Sequence, residues 1–572
     1  MRSQGVLMTS AGERTEYSRS GAEVVADMLD AYGVTHLFMV PAILRRTMRE
    51  LERRTQIARL HVHGEKAAAY MADGYARASG KPGVCGAQVV GALNLAAGLR
   101  DAYLAHSPVI ALTGGRDPHT KFRKVYQEVD DVPAFEPVTK FNATIDAVER
   151  IPDMLRQAFR AATTGCPGPV HLQFRGNEGQ LDAESAVMEA LAEPEFGRVP
   201  PFRPIPDDAA VGEALRQLQA AERPVIVAGG GVRASGAAAE LLQVAEALQI
   251  PVATSLNGKD LMPASHPLAV GVVGTYSRES ANRVVGRADL VCFIGSEAGG
   301  MTTHFWKLPG PGTAVVQIDI DPEHLGRNYP LVAAVNGDAR VALARIAALH
   351  GGGAATSRPS WLAEVRSICA EWQHRYEPEL SSQEAPTRPE RICSELSRLV
   401  PGDGVVVVDT GHAGMWMGAF YDVSAGQRYL RSCGHLGWAF PAALGAKCAL
   451  PGRPVVCFTG DAGLWYHLAE IETAVRWGIN VVTVVNNNSG GNQSKRGFEG
   501  VYAPDVTARS RELWTFTDVD FARVAESIGA TGIRVEKPAD LRPAVEQALW
   551  AGRPAVVDVV TDCEVLAPVA AA

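Results

Sequence analysis

Asp461 closes the apolar run VVCFTGD, and Asn486, Asn487 and Asn488 close the next one, NVVTVVNNN. Read as neighbouring parallel strands, the two runs bring Asp461 and Asn488 to one sheet edge, although 27 positions separate them. A carboxylate, an amide oxygen and a backbone carbonyl form a hard, all-oxygen donor set. Mg²⁺ takes such ligands and completes its octahedron with substrate phosphates. Ala462 and Gly463 are small and open the following helix, leaving N–H groups free for a phosphate. An ordinary βαβ unit with a turn Asp and turn Asn residues would look the same, so the motif alone leaves both readings open.

Other residues could do chemistry with it. Glu65 opens the small-residue helix of HVHGEKAAAYMADGYARASGKPGV. It is either a carboxylate stabilising a helix N-terminus or a buried carboxyl that holds a proton because desolvation raises its pKa. Arg116, His119, Lys121, Arg123 and Lys124 crowd GGRDPHTKFRKV, a solvated basic loop or a guide for an anionic substrate. Gln493 lies just past the asparagines. A Glu or His there would shuttle protons, whereas Gln only donates and accepts hydrogen bonds. It is therefore a positioning residue or a replaced Glu.

Three α/β blocks must position these groups: 18–185, 204–350 and 385–565. Apolar runs such as HLFMV, VIALTGG, RPVIVAGGG, ADLVCFIG and GVVVVDT alternate with helical stretches. That alternation predicts α/β architecture with three doubly wound parallel-sheet domains. The proline-rich EPEFGRVPPFRPIPDD separates the first two blocks, and GGGAATSRPS with SSQEAPTRPE brackets a helical connector before the third. The Gly-rich turn at Gly229–Val232 is too loose to indicate a dinucleotide oxidoreductase. Across 572 residues the net charge is −8, which gives no reason to expect nucleic acid as a partner. No apolar run is long enough for a membrane span, and the polar start MRSQGVLMTSAGERTEYSRSG lacks a signal-peptide core. Nine scattered cysteines without a CxxC pair disfavour both a disulfide framework and a zinc site. The expectation is a cytoplasmic protein.

The segment GDAGLWYHLAEIETAVRWGINVVTVVNNNSGG resembles the signature of thiamine-diphosphate enzymes in the acetolactate synthase and pyruvate decarboxylase superfamily. The resemblance extends over nearly the whole chain. It implies that Asp461, Asn488 and the Gly490 carbonyl bind Mg²⁺, with Gly460, Ala462 and Gly463 beside the diphosphate. Ala462 departs mildly from the family's Gly or Ser. DTGHAGMWMG then places Gly411, His412 and Ala413 on the diphosphate, and SCGHLGWAFPAALGAK places Gly434 and Leu436 on the aminopyrimidine, with Leu436 as a wedge between the rings. Glu65 would hydrogen-bond a ring nitrogen of the cofactor and so promote its ylide. Glu65 and the diphosphate half come from different subunits in this superfamily, which implies a homodimer or homotetramer with shared sites.

KVYQEVDDVPAFEPVTKFN resembles the family segment that sets Gln127 near the reacting carbon, and Met39–Ile43 the segment lining the substrate pocket. Apolar Ile43 suits a small alkyl group. Two stretches depart from acetolactate synthase: Val89-Val90-Gly91-Ala92-Leu93 replaces Gly-Pro-Gly, and SEAGGMTTHFWKLP replaces a flavin-binding stretch. FAD is accordingly not expected. GAQVVGALNLAAGLRDAYLAHSPVIALTGGRD looks most like the actinobacterial 2-hydroxyacyl-CoA lyases, relatives of the oxalyl-CoA decarboxylases. The resemblance implies a carbon–carbon lyase on a CoA thioester substrate that gives formyl-CoA plus a ketone or aldehyde, with ADP or CoA in the central domain. Arg116, Lys121, Arg123 and Lys124 would then meet the thioester's phosphates. An acetolactate-synthase-like carboligase or a 2-oxoacid decarboxylase acting on free acids is the alternative.

Overall fold

The computed structural model describes residues 18–351 and 357–570. The first 17 residues of the polar start and part of the Gly351 linker lie outside the described residues. Each domain is built on a six-stranded, all-parallel sheet. The inner strands are buried on both faces, so their sequences read as unbroken apolar runs, whereas edge strands such as Phe141–Ile145 and Thr531–Val535 are mostly half-buried.

In the N-terminal domain the strands are β1 His36–Met39, β2 Ala58–His61, β3 Gly83–Ala87, β4 Val109–Gly114, β5 Phe141–Ile145 and β6 Val170–Phe174. The central domain has β7 Pro224–Ala228, β8 Val252–Thr254, β9 Ala269–Val272, β10 Leu290–Ile294, β11 Ala314–Asp319 and β12 Ala333–Asn336. The C-terminal domain has β13 Val405–Val408, β14 Arg428–Arg431, β15 Val455–Gly460, β16 Val482–Asn487, β17 Thr531–Val535 and β18 Ala555–Val560. The outer domains share one topology, β2-β1-β3-β4-β6-β5 and β14-β13-β15-β16-β18-β17. The central sheet runs β9-β8-β7-β10-β11-β12, the 3-2-1-4-5-6 order of dinucleotide-binding folds. In all three, the order reverses beside the first strand, and ligands collect in the crevice beyond the strands' carboxyl ends at such a point.

The helices that matter for the site are α1 Glu65–Ser79, α2 Ala92–Leu104, α3 Gly230–Ala234, α4 His412–Phe420, α5 Ala439–Ala449, α6 Asp461–Trp465 and α7 Asn492–Tyr502. Helices α1 and α5 join the outer domains. A Cβ added to Gly74 would overlap the carbonyl of Ala442, and one added to Gly445 would overlap that of Met71. Backbones meet this closely only where both helices lack side chains at the crossing. Their alanines merge with Phe38, Trp438 and Phe458's neighbour Cys457 into one apolar cluster spanning both domains.

Candidate functional site

Strands β15 and β16 pair in register up to Gly460 opposite Asn486, which sets the two predicted ligand segments side by side. Asp461 is 2 % exposed. Its Oδ1 accepts from Ala462 N (2.8 Å) and its Oδ2 from Gly490 N (3.0 Å). Asn488 Oδ1 accepts from the same Gly490 N–H at 3.2 Å, so both side-chain oxygens converge beside Gly490. Burial pushes the Asp461 carboxyl up to about 7; a neighbouring cation would reverse that shift. The Ala462 N–H, expected to meet a phosphate, here donates to Asp461 instead. Gly463 is held by contact rather than by choice of turn, since a Cβ there would strike Thr459 Oγ1 and the Asp409 carboxyl.

Strand β13 lies next to β15 and ends at Asp409. Gly411 then takes φ +64, and α4 begins at His412. Both His412 ring nitrogens are buried without a hydrogen-bond partner. Burial, with the Arg496 charge behind it, lowers this imidazole to about 4, and nearby Gln493 acts in the opposite direction. A Cβ on Gly411 would sit 3.9 Å from the Gln493 Cβ. Gly411, His412 and Gln493 are thus neighbours, and Ala413 packs behind them at 6 % exposure.

The turn carrying Gly434 and Leu436 is shaped by two buried aspartates that the sequence reading did not identify. Asp101, on α2 of the N-terminal domain, accepts from Cys433 N, Ser432 Oγ and His435 N. Asp409 accepts from Gly437 N (3.1 Å), Thr459 Oγ1 and Thr410 N. Gly434 is exposed at φ +136 with open space around it, and Leu436 is half-buried. Asp409 was detectable as an acid ending a strand. Asp101, mid-helix in GLRDAY, carried no local signal.

Glu65 stands on the other sheet. It is half-buried at the start of α1 and its Oε2 accepts from Asn94 Nδ2 at 3.2 Å. A Cβ at Gly91 would strike the carboxyl, which explains the glycine within the departing Val89–Leu93 stretch. Gln127 accepts from Gln88 Nε2 at 3.1 Å, at the end of β3. The basic loop before it is split in role. Arg116 pairs with Asp130 at 2.6 Å, and Lys121 lies over the Phe122 ring, whereas Arg123 and Lys124 are exposed. Ile43 is 1 % exposed and packs over Gly86 in the N-terminal core.

A cavity of about 460 Å³ opens at the reversal point of the central sheet. Its wall includes Gly230 and Gly231 of α3, Gly295 and Ser296 beyond β10, and Arg431 and Cys433 of the C-terminal domain. The Gly229–Val232 turn, too loose in spacing for a nucleotide signature, therefore borders this cavity. Met301 and Thr302, from the stretch that departs from the flavin pattern, also line it.

The residues present fit a metal-bound diphosphate. Asp461 is a buried carboxylate without a countercharge, Asn486 Oδ1 is buried and unpartnered, and the His412 nitrogens are orphaned at a helix start. Each is costly unless a bound group satisfies it.

Comparison with known proteins agrees with this layout. Residues 19–134 match the family model for the thiamine pyrophosphate enzyme N-terminal TPP binding domain, 211–346 the central domain, and 409–559 the C-terminal TPP binding domain. A probable acetolactate synthase large subunit of Methanocaldococcus jannaschii is 32 % identical over 95 % of this chain and 92 % of that protein. One from Methanococcus aeolicus is 30 % identical over 95 % and 92 %. Acetolactate synthase isozyme 3 large subunit of Escherichia coli K12 is 30 % identical over 93 % and 92 %.

Proposed function

This chain belongs to the thiamine pyrophosphate enzyme family, and on that premise we propose that it is a Mg²⁺-dependent carbon–carbon lyase of 2-hydroxyacyl-CoA thioesters. It cleaves or forms the C1–C2 bond, with formyl-CoA and a ketone or aldehyde on the other side. When bound, thiamine diphosphate would supply a nucleophilic carbon, and its thiazolium ring would serve as the electron sink. Asp461, Asn488 and the Gly490 carbonyl hold Mg²⁺, and Gly411, His412, Ala413, Gly460 and Gly463 face the diphosphate. Gly434 and Leu436 seat the rings, and Glu65 of a second subunit holds the proton on the aminopyrimidine. During cleavage the 2-hydroxyl loses its proton as the C1–C2 electron pair passes to C1, which is protonated and leaves as the formyl group. Gln493, beside His412, positions that hydroxyl.

The observation that carries this reading is the tether between the basic loop and the activating carboxylate. Gln127 holds the loop to Gln88, Asn177 Nδ2 donates to Tyr126 O, and Asn177 O in turn accepts from Val89 N, in the turn that abuts Glu65. Lys121, Arg123 and Lys124 are exposed on this loop, so a polyanionic thioester approaching the reactive end would pass them. A second reading, acetolactate formation or 2-oxoacid decarboxylation, is favoured by the names of the relatives. Incubating the holoenzyme separately with a short 2-hydroxyacyl-CoA and with pyruvate distinguishes the two. Formyl-CoA from the thioester is the expected result. Acetolactate from pyruvate with no formyl-CoA would overturn the proposal.

A further inference from the structure

Where the N-terminal and central domains meet, three side chains of metal-ligand type converge away from the cofactor residues. His106 follows α2, Cys166 sits in the loop before β6, and His324 lies in the turn after β11. One nitrogen from each histidine and the Cys166 Sγ all lie within 4.8 Å of one another. A fourth group is already in place. Glu297 Oε1 is 2.5 Å from His106 Nε2 and 3.5 Å from His324 Nε2. We propose that His106, Cys166, His324 and Glu297 form a site for a zinc-class divalent cation that fastens the N-terminal domain to the central domain at the rim of the central cavity.

The donor chemistry selects the metal. Two imidazoles, a thiol and a carboxylate suit a borderline-soft, tetrahedral ion, unlike the all-oxygen set around Asp461. Zinc bonds of about 2.0–2.3 Å put ligand atoms roughly 3.3–3.8 Å apart, so shifts of about an ångström draw in the 4.8 Å spread and open the His106–Glu297 contact. The surroundings are those of a supported site. Asp319 Oδ1 lies 3.4 Å from His324 Nδ1, so that nitrogen can donate to the carboxylate and Nε2 is left for the metal. Lys140 Nζ donates to the carbonyls of Thr164 (2.8 Å) and Cys166 (2.5 Å), fixing the cysteine loop. Asn328 Nδ2 donates to Glu297 O at 2.9 Å. His106 takes φ +52, a conformation that favours glycine, and there its ring reaches across to the central domain. On binding, the Cys166 thiol gives up its proton and the metal takes its place. All four ligands line the cavity, so an occupied site also defines one wall of it.

The test uses untagged full-length protein, stripped by a chelator and reloaded with thiamine diphosphate and excess Mg²⁺ before Zn²⁺ is added. One zinc per chain should survive desalting, and Co²⁺ in its place should give a thiolate-to-cobalt absorption band. Cys166→Ser should lose the band, and His324→Gln should lose the retained zinc. Zn²⁺ should raise the melting temperature of the parent and leave that of Cys166→Ser unchanged. Zinc that washes out of the unmutated protein, or a cobalt spectrum without thiolate absorption, overturns the site without relying on any variant folding. Equal zinc retention by parent and variants overturns it too.

Discussion

If Asp461 holds Mg²⁺ as proposed, it fixes the pH behaviour of that site. Its carboxyl is raised to about 7 by burial, so in the metal-free protein it takes up a proton as the pH falls through neutrality. Mg²⁺ must displace that proton, and the apparent affinity should therefore drop by up to about tenfold per pH unit below 7 and level off above it. The same sign governs stability: the raised Asp461 and Asp409 carboxyls contribute below the ordinary carboxylate range, and their contribution is lost as the pH rises through about 7. Metal-free protein should melt lower at pH 8 than at pH 6, and Mg²⁺ should recover part of the difference. A melting temperature independent of pH over this window would contradict the assignment. Gln493, next to Gly411 and His412, accepts and donates hydrogen bonds but carries no proton. Gln493→Glu should raise kcat by about tenfold or more if proton transfer limits the rate; unchanged turnover would mean that Gln493 only positions substrate. That Asp461, Asn488 and His412 each lie just past an apolar strand was legible in the sequence. Asp101 was not, because what marks it is three donors from a turn more than 300 residues later.

At the scale of elements, the α1–α5 crossing and the strand orders decide where those residues meet. A Cβ at Gly74 or Gly445 would overlap a carbonyl of the opposite helix, so neither helix can move aside without opening the shared core. Gly74→Val or Gly445→Val should cost at least about 2 kcal/mol in urea unfolding. A destabilisation of only a few tenths would show that the helices slide apart easily. Apolar runs and small-residue helical stretches were enough to find α1 and inner strands such as β1, β4, β7, β10, β13, β15 and β16. The less buried edge strands β2, β5, β14 and β17 are not marked by such a run. Apolar runs could not reveal strand order, because every parallel neighbour looks alike in a buried run. The 3-2-1-4-5-6 order of the central sheet, and the cavity at its reversal, therefore emerge only from the fold. The Gly229–Val232 turn shows the same limit. Its spacing is poor as a motif, yet its place at the reversal point sets it at the cavity wall.

For the whole molecule, the decisive relation is between two groups of residues on different sheets. Glu65 belongs to the N-terminal sheet and has Asn94 as its hydrogen-bond partner, while Asp461, Asn488, His412 and Gln493 gather on the C-terminal sheet. Among the described residues no hydrogen bond links Glu65 to that group within one chain. The family resemblance explains this by two subunits completing each other's sites. The central domain contributes the cavity and the Asn257 side chain, which meets Cys433 at 3.5 Å, two residues from the Cα of His435. Mixing two inactive variants, Glu65→Gln and Asp461→Asn, under conditions that let subunits reassort tests the shared site directly. A site built from both subunits predicts recovery to about a quarter of parental activity, because half of randomly reassorted dimers are mixed and each mixed dimer has one intact site of two. A mixture that stays at the residual activity of its two components, after exchange has been verified, would contradict it.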